Sequence, residues 1–156
     1  MRGITDAIWA EHAGLLLKNI ADSQMVIFRD PEKALRACIA AQRAIARHNE
    51  RLLEADRVYL GCGLGYGEVL KLGDEDVFGV EVNFSAKLGE DLAGPFDIFL
   101  TPDCVEAIGT TKEAKFVRVK GGRLGGTKLG YYRAAYELDA PKDPRKHAAK
   151  QRVKFK

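Results

Sequence analysis

Short apolar runs separated by polar and glycine-rich residues dominate the first half of the chain. Residues 15–20 and 25–28 are two such runs, and the polar stretch between them predicts a β-hairpin. Residues 58–64 and 68–72 form a second pair around the glycine-rich residues 65–67. This pattern predicts a second hairpin.

Between the two pairs lies the clearest helical pattern. Asp30 can cap a helix whose first position is Pro31, and the apolar residues then recur at helical spacing to about Glu54. A shorter helix is predicted over residues 80–92 and a third over Pro102–Ile108. The apolar stripe of the long helix predicts that it packs against a sheet.

The remaining apolar runs predict strands over residues 96–100, 116–119 and 129–136, with a glycine-rich turn at 121–126. Hairpins that alternate with helices favour an α+β sandwich, in which helices cover one face of a mainly antiparallel sheet. We expect one domain over residues 1–138, followed by a basic, solvated tail over 139–156.

Composition narrows the class of protein. At 156 residues, with 46% hydrophobic and 30% charged residues, the chain suits one globular domain. No apolar run approaches the roughly 20 residues that a membrane span needs, and the first residues do not form a secretory signal. We therefore expect a cytoplasmic protein. The spacing of Cys38, Cys62 and Cys104 suits neither a disulfide framework nor a zinc site, and predicts buried, reduced thiols.

Charge is distributed unevenly along the chain. Residues 141–156 hold seven Lys or Arg and one Asp, a charge of +6, so the net charge of +3 leaves −3 on residues 1–140. Such a tail can bind nucleic acid or an acidic membrane, or can be a solvated end. Since no aromatic platform or base-reading motif accompanies it, we favour the solvated end and expect no nucleic-acid partner.

Three segments, in the same order, resemble the catalytic domain of class III adenylate and guanylate cyclases. Residues 18–28 read KNIADSQMVIF, similar to the family pattern K-T-I-G-D-S/G-x-M-A-V-F. Residues 63–69 read GLGYGEV, similar to G-I-H-x-G-E-V. Residues 76–88 read DVFGVEVNFSAKL, similar to D-V-F-G-x-x-V-N-x-A-A/S-R-L. The resemblance covers about residues 10–137 and implies a ferredoxin-like nucleotide cyclase sandwich.

The resemblance assigns Asp22 to metal binding. In this family two aspartates hold two divalent ions, Mg²⁺ or Mn²⁺, and Asp22 matches the second of them. A tight turn between strands would present its carboxylate at the edge of the sheet, where such an ion can keep its waters. The alternative is that Asp22 hydrogen-bonds its own turn.

Lys18 and Asp76 match the pair that recognises adenine in adenylate cyclases. Guanylate cyclases typically carry Glu and Cys at these two positions, so the resemblance points to ATP as the substrate. The alternative is an ordinary surface lysine and a loop aspartate that caps the next helix.

Asn83 and Lys87 match the catalytic Asn and Arg that hold the ribose and the phosphoryl group. They lie four residues apart, so they share one face of the predicted helix. Lys87 replaces the arginine, keeping the charge but losing the planar fork that suits phosphate. The resemblance therefore implies a weakened catalytic site.

Family domains open with a strand that ends in F-x-D-I-x-G-F-T and carries the first metal-binding aspartate. The 17 residues before Lys18 contain no such motif, so the first strand and one of two aspartate ligands are expected to be missing. A missing central strand would expose the backbone of its neighbours and one side of the core. Ala21 also replaces a glycine, and would be strained if that position needs a positive φ.

Two functions remain open from the sequence. The first is an adenylate cyclase that converts ATP to cyclic AMP and pyrophosphate, with impaired or partner-dependent activity. The family forms head-to-tail dimers, so either a homodimer or a heterodimer with another cyclase-like chain is implied. The second is a non-catalytic module that dimerises or binds nucleotide in signalling.

Overall fold

A computed structural model describes residues 1–74, 76–120 and 130–139. The glycine-rich turn predicted at 121–126 and almost all of the tail predicted from residue 139 lie outside these residues. The helices are α1 (Arg2–Glu11), α2 (Pro31–Asn49), α3 (Val80–Lys87) and α4 (Pro102–Ile108). The strands are β1 (Leu15–Ile20), β2 (Ser23–Ile27), β3 (Cys62–Leu64), β4 (Leu70–Leu72), β5 (Asp76–Phe78), β6 (Ile98–Leu100), β7 (Lys115–Arg118) and β8 (Tyr132–Ala135).

The strands form one four-stranded sheet and two ribbons. The sheet has the order β3-β6-β8-β7, with β3 parallel to β6 and the other neighbours antiparallel. The ribbon of β1 and β2 is the first predicted hairpin, which is confirmed. The remaining ribbon pairs β4 with β5.

The second predicted hairpin is wrong, because its two strands belong to different sheets. Cys62 and Leu64 of β3 pair with the fully buried strand β6, and Cys62 itself is buried. All three residues of β4 are exposed, and they pair with β5 instead. The strand that can bury its side chains joins the core sheet, and the exposed strand forms a separate ribbon.

Helices α1, α2 and α4 pack on one face of the central sheet. Trp9, Leu35, Cys38 and Cys104 join Ile98 and Leu100 in the main core. Since side chains alternate along a strand, Phe99 points to the other face, where it packs with Leu88 and Tyr131. The predicted α+β sandwich is confirmed, and the small second cluster places the end of α3 on the opposite face.

Helix α2 begins as predicted and ends earlier than predicted. The Asp30 side chain accepts hydrogen bonds from the backbone N–H groups of Glu32 and Lys33, and Pro31 occupies the first helical turn. The helix ends at Asn49 rather than near Glu54. The Asn49 side chain donates to Val58 O at 2.7 Å and accepts from Val58 N at 3.0 Å, which turns the chain back toward β3.

The other predicted elements are confirmed with small shifts of their ends. Helix α3 continues into a π-helical turn, Leu88–Leu92, so helical structure covers the predicted residues 80–92. All three cysteines are free and buried, as predicted. None of the helices within the described ranges is both long enough and apolar enough to cross a bilayer.

Candidate functional site

Lys18 and Asp76, 58 residues apart in sequence, meet in space. The Lys18 Nζ atom donates to Asp76 Oδ1 at 2.8 Å, and about a third of each side chain is exposed. Lys18 lies on β1, next to the irregularity in strand register between Leu16 and Lys18. Asp76 begins β5. The structure therefore brings the two predicted adenine-binding residues into direct contact at the surface.

The contact also favours the ionised form of Asp76. The hydrogen bond from Lys18 lowers the pKa of the Asp76 carboxyl below its ordinary value of 3.8, and a 3.0 Å hydrogen bond from Val77 N acts in the same direction. The pair is a matched donor and acceptor on the surface, the kind of groups that can read the edge of a purine base.

Asp22 lies in the tight turn between β1 and β2, with its side chain exposed. The preceding residue, Ala21, has a φ of 52°, which is the left-handed conformation anticipated for a position usually held by glycine. The Arg2 guanidinium donates to the carbonyl oxygen of Ala21. The turn is thereby held against helix α1.

Gln24 fixes the same hairpin from its other side. Its Oε1 accepts from Thr5 Oγ1 at 2.7 Å and from Trp9 Nε1 at 2.9 Å, while its Nε2 donates to Asp6 Oδ1 at 2.7 Å. Three residues of α1 therefore fix the position of β2, and with it the position of Asp22. The sequence does not predict this role, because the hydrogen-bond partners of a glutamine in a strand cannot be read from its neighbours in sequence.

Asn83 and Lys87 share α3, as predicted, and both are exposed. The Lys87 ammonium is 3.1 Å from Asp91 Oδ2, one helical turn onward. This pair is on the surface, so a phosphate could compete for Lys87 at little cost.

Asp22 and the α3 pair do not line the same cavity. Asp22 lines a cavity of about 550 Å³ together with Ser85, Ala86, Gly89 and Glu90, but neither Asn83 nor Lys87 lines that cavity.

The described residues of one chain do not fit a metal centre by themselves. They contain no group of three or more His, Cys, Asp or Glu side chains that could hold an ion. Asp22 and Glu90 line the same cavity, so two carboxylates face it. A magnesium or manganese ion usually takes more oxygen ligands than these two side chains offer.

Glu81 is a further polar centre that sequence reasoning missed. Its Oε2 accepts from Thr101 Oγ1 at 2.6 Å and from Tyr66 N at 3.0 Å, so it ties α3 to the loop after β3 and to the start of α4. A Cβ atom at Gly65 would lie 2.7 Å from Glu81 O. The glycines of the second resembling segment thus allow that loop to approach α3.

Comparison of the structure with solved structures finds nucleotide cyclases. An adenylate/guanylate cyclase/hydrolase from Silicibacter pomeroyi matches with a TM-score of 0.75 and 20% identity, over 86% of this chain and 79% of that one. The guanylyl cyclase Cya2 matches with a TM-score of 0.66 and 19% identity, over 86% and 76%. Adenylate cyclases from Trypanosoma brucei match with a TM-score of 0.62 and 12% identity, over 91% and 79%.

Sequence comparison adds little to this result. No family model matches the chain. The serine/threonine-protein kinase pkn2 of Myxococcus xanthus is 36% identical over 64 residues, which are 41% of this chain and 8% of the kinase. The match spans too little of the kinase to transfer its activity.

Proposed function

We propose that this chain, which has the fold of class III adenylate and guanylate cyclase catalytic domains, is an adenylate cyclase-type domain. Its reaction would convert ATP to cyclic AMP and pyrophosphate. The contact between Lys18 and Asp76 carries the proposal, because it joins two residues, distant in sequence, that the resemblance assigns to one base-binding pair. A lysine donor and a carboxylate acceptor complement the ring nitrogen and the exocyclic amine of adenine.

The site would be shared between two chains arranged head to tail. Asp22 of one protomer would face Lys18, Asp76, Asn83 and Lys87 of the other. An exposed apolar surface on β4, β5 and the start of α3 supports self-association: Leu70, Leu72, Phe78 and Val80 are each at least half exposed. A heterodimer with a related cyclase chain would use the same surface.

We expect impaired turnover in this chain. Lys87 offers a single ammonium where a guanidinium would bind phosphate in two places, and a lost transition-state donor costs roughly 10²–10³ in rate. The two carboxylates beside the Asp22 cavity are also few for a pair of ions. Mg²⁺ or Mn²⁺ stays an expectation from the resemblance.

The direct test is production of cyclic AMP by the purified full chain with Mn-ATP, beside Mn-GTP. Asn83→Ala is the control variant, since Asn83 is exposed and its loss should leave the fold intact. Product above background that falls in the variant supports the proposal, and background in both rejects turnover by this chain.

Base recognition is tested separately by calorimetric titration with a non-hydrolysable ATP analogue and its GTP counterpart. We expect ATP to be preferred, and the preference to reverse in the double variant Lys18→Glu, Asp76→Cys. Equal affinity for both nucleotides in the wild-type chain would contradict the assignment to adenine.

A second candidate is a non-catalytic module that binds nucleotide and dimerises. Lys87 in place of the family's arginine favours it, because a single ammonium lacks the planar fork that holds a phosphoryl group. This candidate predicts nucleotide binding and self-association with no cyclic product. Absence of binding, together with a monomer in sedimentation, would reject both candidates.

A further inference from the structure

Helix α3 crosses a row of three glycines. Gly63, Gly65 and Gly67 stand at every second position from β3 into the loop after it. A Cβ atom at Gly63 would lie 2.1 Å from Ser85 O, and one at Gly65 would lie 2.7 Å from Glu81 O. One at Gly67 would lie 2.9 Å from Glu81 Cγ. The helix therefore approaches this glycine row more closely than side chains at these positions would allow.

Such a contact leaves the start of α3 without interlocking side chains. The position of a helix on its neighbour is ordinarily set by side chains that fit between those of the partner. Glycines present none, and no residue of α3 is buried. Leu88, the first residue after the helix, is fully buried and packs with Phe99 and Tyr131, which holds the far end. The first turn of α3 therefore depends on other contacts.

The Glu81 carboxylate supplies such a contact. Its Oε2 atom accepts from Thr101 Oγ1 at 2.6 Å and from Tyr66 N at 3.0 Å. Thr101 is itself fully buried and fixed. Its backbone N donates to Leu64 O at 3.0 Å, and its Oγ1 accepts from Cys104 N at 3.2 Å. A single oxygen of Glu81 thus joins the first turn of α3 to the buried end of β6.

The same carboxylate occupies the space that a side chain at residue 65 would need. A Cβ atom at Gly65 would lie 2.8 Å from Glu81 Oε2. The cyclase pattern G-I-H-x-G-E-V, which residues 63–69 resemble, has histidine at this position. Gly65 and Glu81 therefore belong together, because the glycine leaves the space that the carboxylate fills.

Asn83 lies two residues beyond Glu81, in the same first turn of the helix. We propose that Glu81 is a positioning residue, which fixes the first turn of α3 and so orients Asn83 for the nucleotide. The role toward the nucleotide rests on the proposed function, whereas the anchoring of α3 does not. Lys87 borders the buried Leu88, so its position should depend less on Glu81.

Hydrogen exchange on the full chain, without nucleotide, tests the anchoring. We expect the amides of residues 83–86 to exchange at least about ten-fold faster in Glu81→Ala than in the wild type, with a smaller change in the middle of α2, which reports global unfolding. Glu81→Gln should behave like the wild type, because one amide oxygen can accept both hydrogen bonds. Glu81→Asp, which is one methylene shorter, replaces the alanine variant if that variant does not fold.

Glu32→Ala is the matched control. The Glu32 Oε1 atom likewise accepts from a threonine of another segment, Thr111 Oγ1 at 3.1 Å, and it pairs with Arg36 at 3.1 Å. Its loss removes a similar tie on α2 instead of α3. Exchange in residues 83–86 should then rise no more than exchange in the middle of α2.

Calorimetric binding of a non-hydrolysable ATP analogue tests the role toward the nucleotide. Glu81→Ala should weaken binding roughly five-fold, the effect of one misplaced hydrogen bond. If Glu81 acts through Asn83, the same substitution should change the affinity by less than about two-fold in the Asn83→Ala background. Glu32→Ala should leave the affinity unchanged in both backgrounds.

Two results would overturn the inference while the wild type still binds the analogue. Exchange in residues 83–86 that rises no more than in the middle of α2 would mean that Glu81 stabilises the whole fold without fixing α3. Equal loss of affinity in both backgrounds would mean that Glu81 does not act through Asn83. A wild-type chain that binds no analogue rejects the proposed function, and the role toward the nucleotide with it, while exchange still decides the anchoring.

Discussion

Ala21 holds the turn before Asp22 in a left-handed conformation, with a φ of 52°. A Cβ atom costs roughly 1–2 kcal/mol in that region, and glycine loses part of this advantage through its greater freedom in the unfolded chain. Ala21→Gly should therefore stabilise the protein by about 0.5 kcal/mol. Urea unfolding would measure the change.

The matched control is Ala7→Gly, in the middle of α1, where the same substitution should destabilise by about 1 kcal/mol. Destabilisation at both positions would contradict the strain assigned to Ala21.

Lys18 and Asp76 allow a second prediction at this scale. The folded pKa of Asp76 lies below its ordinary value of 3.8, so its contribution to stability is present above that value and is lost as the pH falls through the folded pKa. Lys18→Met should raise the pKa of Asp76 toward 3.8. The side-chain carbon shift of Asp76, followed by NMR from pH 2 to 6, measures it.

The control variant is Lys87→Met, because Lys87 pairs with Asp91 and not with Asp76. It should leave the Asp76 curve unchanged. An unchanged Asp76 curve in Lys18→Met would show that the contact is absent in solution.

Gly63 decides the packing of β3 against α3 at the scale of elements. A Cβ atom there would lie 2.1 Å from Ser85 O and 2.5 Å from Gly89 N, both of them backbone atoms. Gly63→Ala must therefore displace the end of α3, and should destabilise the protein by about 2–3 kcal/mol. Thermal unfolding followed by circular dichroism measures the loss.

Gly3→Ala is the comparison variant, because a Cβ atom at Gly3 would meet nothing within 4 Å and the residue is helical. It should stabilise α1 by roughly 0.5–1 kcal/mol. Similar losses in the two variants would show that the approach of β3 to α3 is looser than described.

The helices and strands also show how much of the fold can be predicted from the sequence. Capping by Asp30 and Pro31, with the helical spacing that follows, predicted α2. The polar turn between two apolar runs predicted the first hairpin. Both signals are local in sequence. The pairing of β3 with β6 was out of reach, since residues 58–72 read as a hairpin and only the buried partner strand decides otherwise. Here the burial that pairing with β6 gives to β3 overrides the local hairpin pattern.

The candidate site also has residues that could be predicted from the sequence and others that could not. The resemblance predicted five residues, and the structure brings Lys18 to Asp76 and places Asn83 and Lys87 on one helix. It places Asp22 in the wall of a cavity that neither Asn83 nor Lys87 lines. Glu81 was not predicted, because an acidic residue in the first turn of a helix is ordinary until its partners are known.

At the scale of the whole molecule the exposed apolar ribbon makes a prediction about assembly. Leu72 and Phe78 are 55% and 50% exposed on β4 and β5. The double variant Leu72→Ser, Phe78→Ser should weaken self-association by roughly ten-fold or more, because each position loses apolar contact area. Sedimentation velocity over a concentration series measures the dissociation constant.

The control for assembly is Val117→Ser, which is 54% exposed on a different strand, β7. It should leave the dissociation constant unchanged. A wild-type chain that stays monomeric at millimolar concentration would contradict the assembly, and with it the shared site.

The three buried thiols give the molecule a built-in reporter of its own opening. Burial, with the nearby Glu81 carboxylate, raises the pKa of Cys104 to about 12, while the hydrogen bond with Cys62 and burial raise the pKa of Cys38. Thiol reagents need the thiolate, so Cys38 and Cys104 should label slowly near pH 8 in the folded chain and faster once it opens. The labelling rate at these two cysteines therefore reports the opening of the chain around them, with no added dye or tag.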